Sequence, residues 1–337
     1  MFIEKGQKLP KTLDHCPLPY GREWIVEHDR FIIRNHDQNG YVIEYLITNR
    51  GSHITVNQNW PVWEDSVFGL VNMVMGAALT IQGRSMLHAC SLVDDGRSFL
   101  IMGESGAGKS SLSVALAAEG LAAHSDDIAV IHNLDFGDKS KNPGPHPTDQ
   151  TGTSPTGEPG PHPPASTIKS SGPHPPRSTE TSTSPQPVIT GTHPVIAPGY
   201  PRIKVKPELL DTLGITGVTP IRIASVESPE GERWLDTDQL AGGTYRSPAP
   251  LGAIFLLRER SGKADAPQVR RLDPMPAAVA LSSHIYGTAW FNPPGPRNLF
   301  LCTYIAGRVP VYEVTLPDDL GRIRASARHL LDHYIRN

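Results

Sequence analysis

From Phe99 to Leu112 the chain reads FLIMGESGAGKSSL, which carries Gly-x-x-x-x-Gly-Lys-Ser at Gly103, Gly108, Lys109 and Ser110. Each part has a chemical reason. Gly103, Gly106 and Gly108 let the backbone wrap closely with its N–H groups turned inward. A helix opening near Lys109 aims its positive end at phosphate. Lys109 can reach the β- and γ-phosphates, and the Ser110 hydroxyl can hold Mg²⁺. The expected nucleotide-binding residues are therefore Gly103, Glu104, Ser105, Gly106, Ala107, Gly108, Lys109, Ser110 and Ser111, with a nucleotide and Mg²⁺ as the expected ligands. The context fits: an apolar strand ends just before Gly103 and an Ala/Leu-rich helical segment follows Gly108.

Two adjacent carboxylates, Asp126 and Asp127, come 17 positions after Lys109, between LAAHS and IAVI. Neighbouring strand residues face opposite ways, so an acid pair inside a strand would drive one charge into the core. A strand end opening onto a site is the better place. Phosphoryl transfer needs two carboxylate tasks: one holds Mg²⁺, the other orients or deprotonates the attacking hydroxyl. The plainer reading is a solvated acidic turn. His88 opens the preceding apolar stretch, where an imidazole can donate to a phosphate or relay a proton; a structural histidine is the alternative.

The elements that must position these groups are legible in part. Residues 30–57 alternate in polarity with Gly-containing turns, as strands and hairpins do. Trp63–Ile81 has helical periodicity, with Val67, Leu70, Val71, Val74 and Ala78 on one face. His88–Val93 and Ser98–Met102 are expected strands joined by a tight turn at Asp94-Asp95-Gly96. Ser110–Glu119 is an expected helix closed by Gly120, and Ile128–His132 an expected strand. Further on, Tyr200–Val205, Ile221–Ser225 and Gly252–Leu257 read as strands, and Arg322–Ile335 as an amphipathic helix. Mixed strands and helices with one strand–loop–helix unit indicate an α/β fold.

Proline marks an interruption. Of the 33 prolines, 15 fall between Asn142 and Pro198, where GPHP recurs at Gly144, Gly160 and Gly172. Large apolar side chains are almost absent there, so the segment cannot offset its ordering entropy and is expected to be disordered. The expected organisation is residues 1–84, a β-rich segment with a helix; 85–136, the first part of a phosphate-loop core; 137–199, the disordered Pro-rich insertion; and 200–337, the second part of the core with the terminal helix. The insertion reads as a tolerated surface loop, with partner docking through extended polyproline as the alternative. The irregular spacing of His146, His162, His174 and His193 does not suit a metal site.

The chain has 337 residues and a formal net charge of -3. That near-neutral balance points to no nucleic-acid and no membrane partner. Cys16, Cys90 and Cys302 are too few and too scattered for a disulfide scaffold and read as buried or idle thiols in a reducing compartment. The longest apolar stretch, Val67–Ile81, contains Asn72 and is shorter than the roughly 20 residues a bilayer requires. With no apolar leader at the start, a soluble cytoplasmic protein is expected. Arg202, Lys204 and Lys206 read as the solvated face of an edge strand, with an extension of the loop's positive potential as the alternative. Arg258, Arg260, Arg270 and Arg271 read as surface charge.

The run LHACSLVDDGRSFLIMGESGAGKSSLSVALAAEGLAAHSDDIAVI, Leu87–Ile131, resembles the catalytic core of bacterial HPr kinase/phosphorylase and its broader relatives. The order is the same: a His opening a strand, a hairpin, the phosphate loop, a short helix ending in Gly, then Asp-Asp. APGYPRIKV and the strand after PAPLG are similar more loosely. The resemblance implies a phosphoenolpyruvate-carboxykinase-like P-loop kinase core that uses ATP and Mg²⁺ to phosphorylate a Ser or Thr hydroxyl on a small protein or peptide. By matching position it implies Asp126 as the hydroxyl-activating base, Asp127 with Ser110 at the metal, and His88 beside the transferred phosphate. Tyr245-Arg246-Ser247 stands loosely where the family has a catalytic Arg. The family's Glu next to Gly-Leu-Gly is missing, so HPr as target and the reverse phosphorylase reaction are not implied, and homo-oligomerisation is left open. A small-molecule kinase and a nucleotide-sensing ATPase on the same scaffold are the competing functions.

Overall fold

The structure, a computed structural model, describes residues 1–8, 20–27, 30–37, 40–60, 65–135, 188–189, 193–222, 231–287 and 295–337. The alternating text near the start forms strands β1 (Phe2–Lys8), β2 (Tyr20–Glu27), β3 (Arg30–Asp37), β4 (Val42–Thr48) and β5 (His53–Gln58). They make one sheet in the order β1-β5-β4-β3-β2, with β1 parallel to β5 and the other neighbours antiparallel. Its apolar face carries Ile33, Ile43, Tyr45, Ile47, Ile54 and Val56. Against it packs a helix built from α1 (Asp65–Gly69), a π turn at Leu70–Val74 and α2 (Met75–Ile81). Tyr45, fully buried, donates its hydroxyl to the Ser66 carbonyl at 2.7 Å, which satisfies the one polar atom it carries into the core.

The remaining elements are β6 (Arg84–Asp94), β7 (Arg97–Gly103), α3 (Lys109–Ala118), β8 (Ala122–Ser125), β9 (Ile128–Asp135), β10 (Val188–Ile189), β11 (Val195–Ile196) and β12 (Arg202–Val205). Then come α4 (Pro207–Leu213), β13 (Ile221–Arg222), β14 (Arg233–Asp236), β15 (Ala249–Leu257), β16 (Gln268–Arg271), α5 (Pro274–Ser282), α6 (Pro296–Ala306), β17 (Val311–Thr315) and α7 (Ile323–Leu330), which runs into a π turn at Leu331–Ile335. The central sheet has the order β10-β9-β11-β15-β7-β6-β8, with β17 beside β15 and β16 beside β17. Strands β7, β15 and β17 are parallel, and Leu257 lies level with both Gly103 and Val314, so their carboxyl ends finish together.

That sheet is covered on both faces, which explains the unbroken apolar run of β7. Phe99 and Ile101 face a core completed by α3, α4 and α7, while Leu100 and Met102 face one completed by α5 and α6. The β6–β7 turn takes positive φ at Asp95 and Gly96, the geometry that a two-residue hairpin favours. Glu119, at the end of α3, ties α7 in place through Arg324 at 2.6 Å and Arg328 at 2.8 Å. A small antiparallel sheet, β12-β14-β13, packs its Ile203 and Val205 on α3's side, leaving Arg202 and Lys204 on the opposite face.

The mixed α/β class and the elements around the phosphate loop agree with the sequence reading. The insertion's upper boundary does not. Val188–Ile189 and Val195–Ile196 are strands of the central sheet, so the fold resumes well before residue 200. The expected disorder of 137–187, and His146, His162 and His174 with it, lie outside the described residues. His193 is described and is structural: its ring donates to the Leu251 carbonyl at 2.7 Å. Trp63, Ser225 and Cys16 also lie outside. Among the described residues no helix is long and apolar enough to cross a membrane.

Candidate active site

Strand β7 ends at Gly103 and α3 begins at Lys109, so the five intervening residues form the loop. Gly103 has φ +147°, and a Cβ there would sit 2.8 Å from the Leu257 carbonyl oxygen; only glycine fits. Gly106, at φ +81°, opens onto free space. Glu104, Ser105 and Gly106 are exposed, while Ala107, Gly108, Ser110 and Ser111 are half-buried. No side chain caps the amino end of α3, which leaves its first N–H groups for an anion. Lys109 is buried, and its Nζ donates to the carbonyls of Gly103 at 2.9 Å and Glu104 at 3.2 Å.

The acid pair lies where a strand end was expected, in the link between β8 and β9. Asp127 takes the left-handed conformation, φ +64°, which is uncommon for a residue that carries a side chain. Its carbonyl accepts from Ala89 N at 3.2 Å, and Ala89 faces Met102, the residue before Gly103. Asp126 accepts the Cys90 thiol on Oδ1 at 3.0 Å and the backbone N–H of Lys204 on Oδ2 at 2.9 Å. Asp127 Oδ2 forms an ion pair with the Lys204 ammonium, and its Oδ1 is 3.8 Å from His88 Nε2.

These surroundings drive the two acids in opposite directions. Burial and the neighbouring Asp127 charge raise Asp126 from its ordinary value, against smaller pulls from Lys204 and Cys90. Burial also acts to raise Asp127, but Lys204 and His88 outweigh it and hold the group well below the usual carboxylate range. The Lys204 ammonium, opposed by burial, is held charged by Asp127 and Asp126. Two adjacent carboxyls with separated affinities for a proton are suited to separate tasks.

His88 lies at the same spot. Its backbone N–H donates to the His284 carbonyl at 2.7 Å, and its ring meets Tyr286 edge-on at 6.3 Å. Burial lowers the pKa of His284, whose ring also lies within the electrostatic reach of Glu104, His88 and Lys109. Loop, acid pair and His88 therefore form one neighbourhood at the carboxyl ends of the parallel strands, where α/β sheets hold ligands.

Four groups were not anticipated. Lys204 is not on a solvated face: its side chain is 19% exposed and engaged with the acid pair. Cys90 is buried, as read, but its S–H also reaches Asp126, a contact that the sequence did not signal. Arg260 is not merely surface charge; its Nη2 donates to the Gly106 carbonyl of the loop at 3.2 Å. His284 carried no signal at all. By contrast Arg258 and Arg270 pair with Glu313, as surface charges do. Arg246, the loose counterpart of a catalytic Arg, forms an exposed pair with Asp238 at 2.5 Å, and its neighbour Ser247 accepts from His124 Nε2 at 3.0 Å.

No protein-family model matches the chain, and no curated protein matches it. Among solved structures it resembles the HPr(Ser) kinase/phosphatase from Coxiella burnetii, at 13% sequence identity over 74% of this chain and 97% of that one, with a TM-score of 0.30. That is a weak structural resemblance, and the functional conclusion rests instead on the geometry of the site.

Proposed function

We propose that the protein is a kinase that transfers the γ-phosphate of Mg²⁺-ATP to a hydroxyl, on a Ser or Thr of a small protein or peptide. The observation that carries this reading is the acid pair beside the phosphate loop, with Asp126 raised and Asp127 depressed in proton affinity. A nucleotide switch needs one acid for the metal. A kinase needs a second for the hydroxyl.

In this reading the amides of α3's first turn and of Gly106 and Gly108 hold the phosphates, and Lys109 exchanges its loop carbonyls for phosphate oxygens. Arg260 braces the loop through Gly106. Among the described residues no three His, Cys, Asp or Glu groups form a preformed metal cluster. Mg²⁺ does not require one, because it binds through one or two protein oxygens together with phosphates and water. Ser110 and Asp127 offer such oxygens and would hold it. When bound, that ion neutralises charge on the phosphates and aligns them.

Asp126 is the base. Each of its oxygens accepts one hydrogen bond here, leaving a second lone-pair direction free for the acceptor hydroxyl. Its raised proton affinity favours taking that proton. Lys204 keeps Asp127 ionised and, through its backbone, orients Asp126. His88 is 41% exposed, and its imidazole would turn from Asp127 to donate to the transferred phosphoryl group.

The test is transfer from γ-labelled ATP with Mg²⁺, comparing wild type with Asp126→Asn on a lysate and on small proteins encoded nearby. A labelled small band that vanishes in the variant supports the reading. Equal labelling by the variant overturns Asp126 as base. Label released only as free phosphate favours a nucleotide switch, and label on a metabolite favours a small-molecule kinase.

A further inference from the structure

Strand β12 brings a second cation beside the acid pair. Arg202 and Lys204 are two residues apart in a strand, so their side chains share a face roughly 7 Å apart. Lys204 is consumed by Asp127 and Asp126. Arg202 is not. Its guanidinium carbon lies 5.5 Å from the Tyr200 ring centre and 5.6 Å from that of Trp234, two rings that themselves meet at 5.8 Å. Among the described residues the guanidinium makes no hydrogen bond and no ion pair. Trp234 is buried, with Val67 against it, so the clamp is anchored. The cross-strand neighbour Asp236 does not neutralise Arg202; it caps its own turn by accepting from Asp238 N at 3.0 Å.

A stacked guanidinium keeps its planar N–H edge free and pre-oriented, which suits bidentate capture of a carboxylate. The phosphate loop already has Lys109 and Arg260, and β12 meets the acid pair rather than the loop. We infer that Arg202 is the specificity anchor of the site and binds a carboxylate of the hydroxyl-bearing acceptor, one residue or so from the phosphorylated group. This deepens the kinase reading and rests on it for the word acceptor, but the anion site itself can be tested without catalysis.

The protein, saturated with Mg²⁺ and a non-hydrolysable ATP analogue, is titrated while Trp fluorescence is followed. The probes are the peptide Ala-Ala-Asp-Ser-Asp-Ala-Ala, its counterpart with both Asp replaced by Ala, and glycerate as a small hydroxy acid. The acidic peptide is expected to bind about tenfold tighter than the neutral one, the scale of a charge-assisted pair. Arg202→Gln should erase that gap while leaving nucleotide affinity unchanged. Arg202→Lys, which keeps the charge without the fork, should retain part of it and serves if the Gln variant does not fold. Arg202-dependent binding of glycerate but not of either peptide supports the anchor with a small acid as its source. Equal affinity for the two peptides together with no Arg202-dependent glycerate binding overturns the inference. So does a gap that survives in Arg202→Gln, or a loss of nucleotide affinity in that variant. If the gap depends on Arg202 but no phosphate is ever transferred, the kinase reading fails and the anchor stands.

Discussion

Replacing Lys204 by Met is the most informative perturbation of the site. The side chains of Lys204 and Asp127 are only 19% and 15% exposed, so the substitution leaves two adjacent carboxylates with little water and without their ammonium partner. Breaking such a pair from one side costs about 3–5 kcal/mol. Residual exposure favours the lower end, about 3 kcal/mol, which at about 2–4 °C per kcal/mol is a fall in Tm of the order of 6–12 °C. The pH dependence has a definite sign. Asp127's folded pKa lies below its unfolded value, so it contributes stability above about pH 4 that is lost as pH falls through the folded value. Asp126 is raised and does the opposite: its ionisation opposes folding above that pH. Without Lys204 both acids oppose folding when ionised. The variant's deficit should therefore be full at pH 7.5 and shrink markedly at pH 4.5, where the pair can hold a proton. Urea unfolding followed by circular dichroism at both pH values measures it, and a cycle with Asp127→Asn isolates the coupling. A deficit under about 1 kcal/mol, equal at the two pH values, would refute the buried ion pair.

Lys109→Ala should weaken nucleotide binding at least about tenfold by calorimetry, because its ammonium is the loop's own cation. Gly106→Ala should cost roughly 1–2 kcal/mol of stability through its positive φ alone. Gly103→Ala should cost about 1–3 kcal/mol more, because its Cβ meets the Leu257 backbone; chemical denaturation of the two variants side by side checks the order. Glu119→Gln should loosen α7 by about 1 kcal/mol at neutral pH, read as faster amide exchange in 323–330. The wild type should lose the same contribution on acidification, because Arg328 and Arg324 outweigh burial and lower this carboxyl's pKa.

The parts of the site that sequence disclosed are local ones. Gly103 to Ser110 and Asp126-Asp127 are each specified within a few residues of chain, and the strands flanking them announce themselves by apolar runs. Lys204 could not be found this way. In Arg-Ile-Lys-Val the alternation correctly gives a strand with one buried face, but what covers the other face comes from 77 residues upstream. Arg260 meets Gly106 across 154 residues for the same reason. Helices α4, α5 and α6 were not read from the sequence, although each opens with proline, which is well suited to a first helical turn. The two-residue strands β10 and β11 are too short to carry any period and exist only because β9 and β15 are there to pair with them.

Those short strands have a consequence for the chain's tolerance of change. Leu134 and Asp135 pair with Ile189 and Val188 in antiparallel register, so the chain leaves the sheet and returns to it across a single ladder. The cost of closing a loop grows only with the logarithm of its length, each doubling adding about 0.6 kcal/mol. Shortening, lengthening or replacing everything between these rungs therefore leaves the central sheet almost indifferent. The same stem is a natural point for circular permutation or for splitting the gene, since β9 on one fragment would recruit β10, β11 and β15 on the other to rebuild a single sheet.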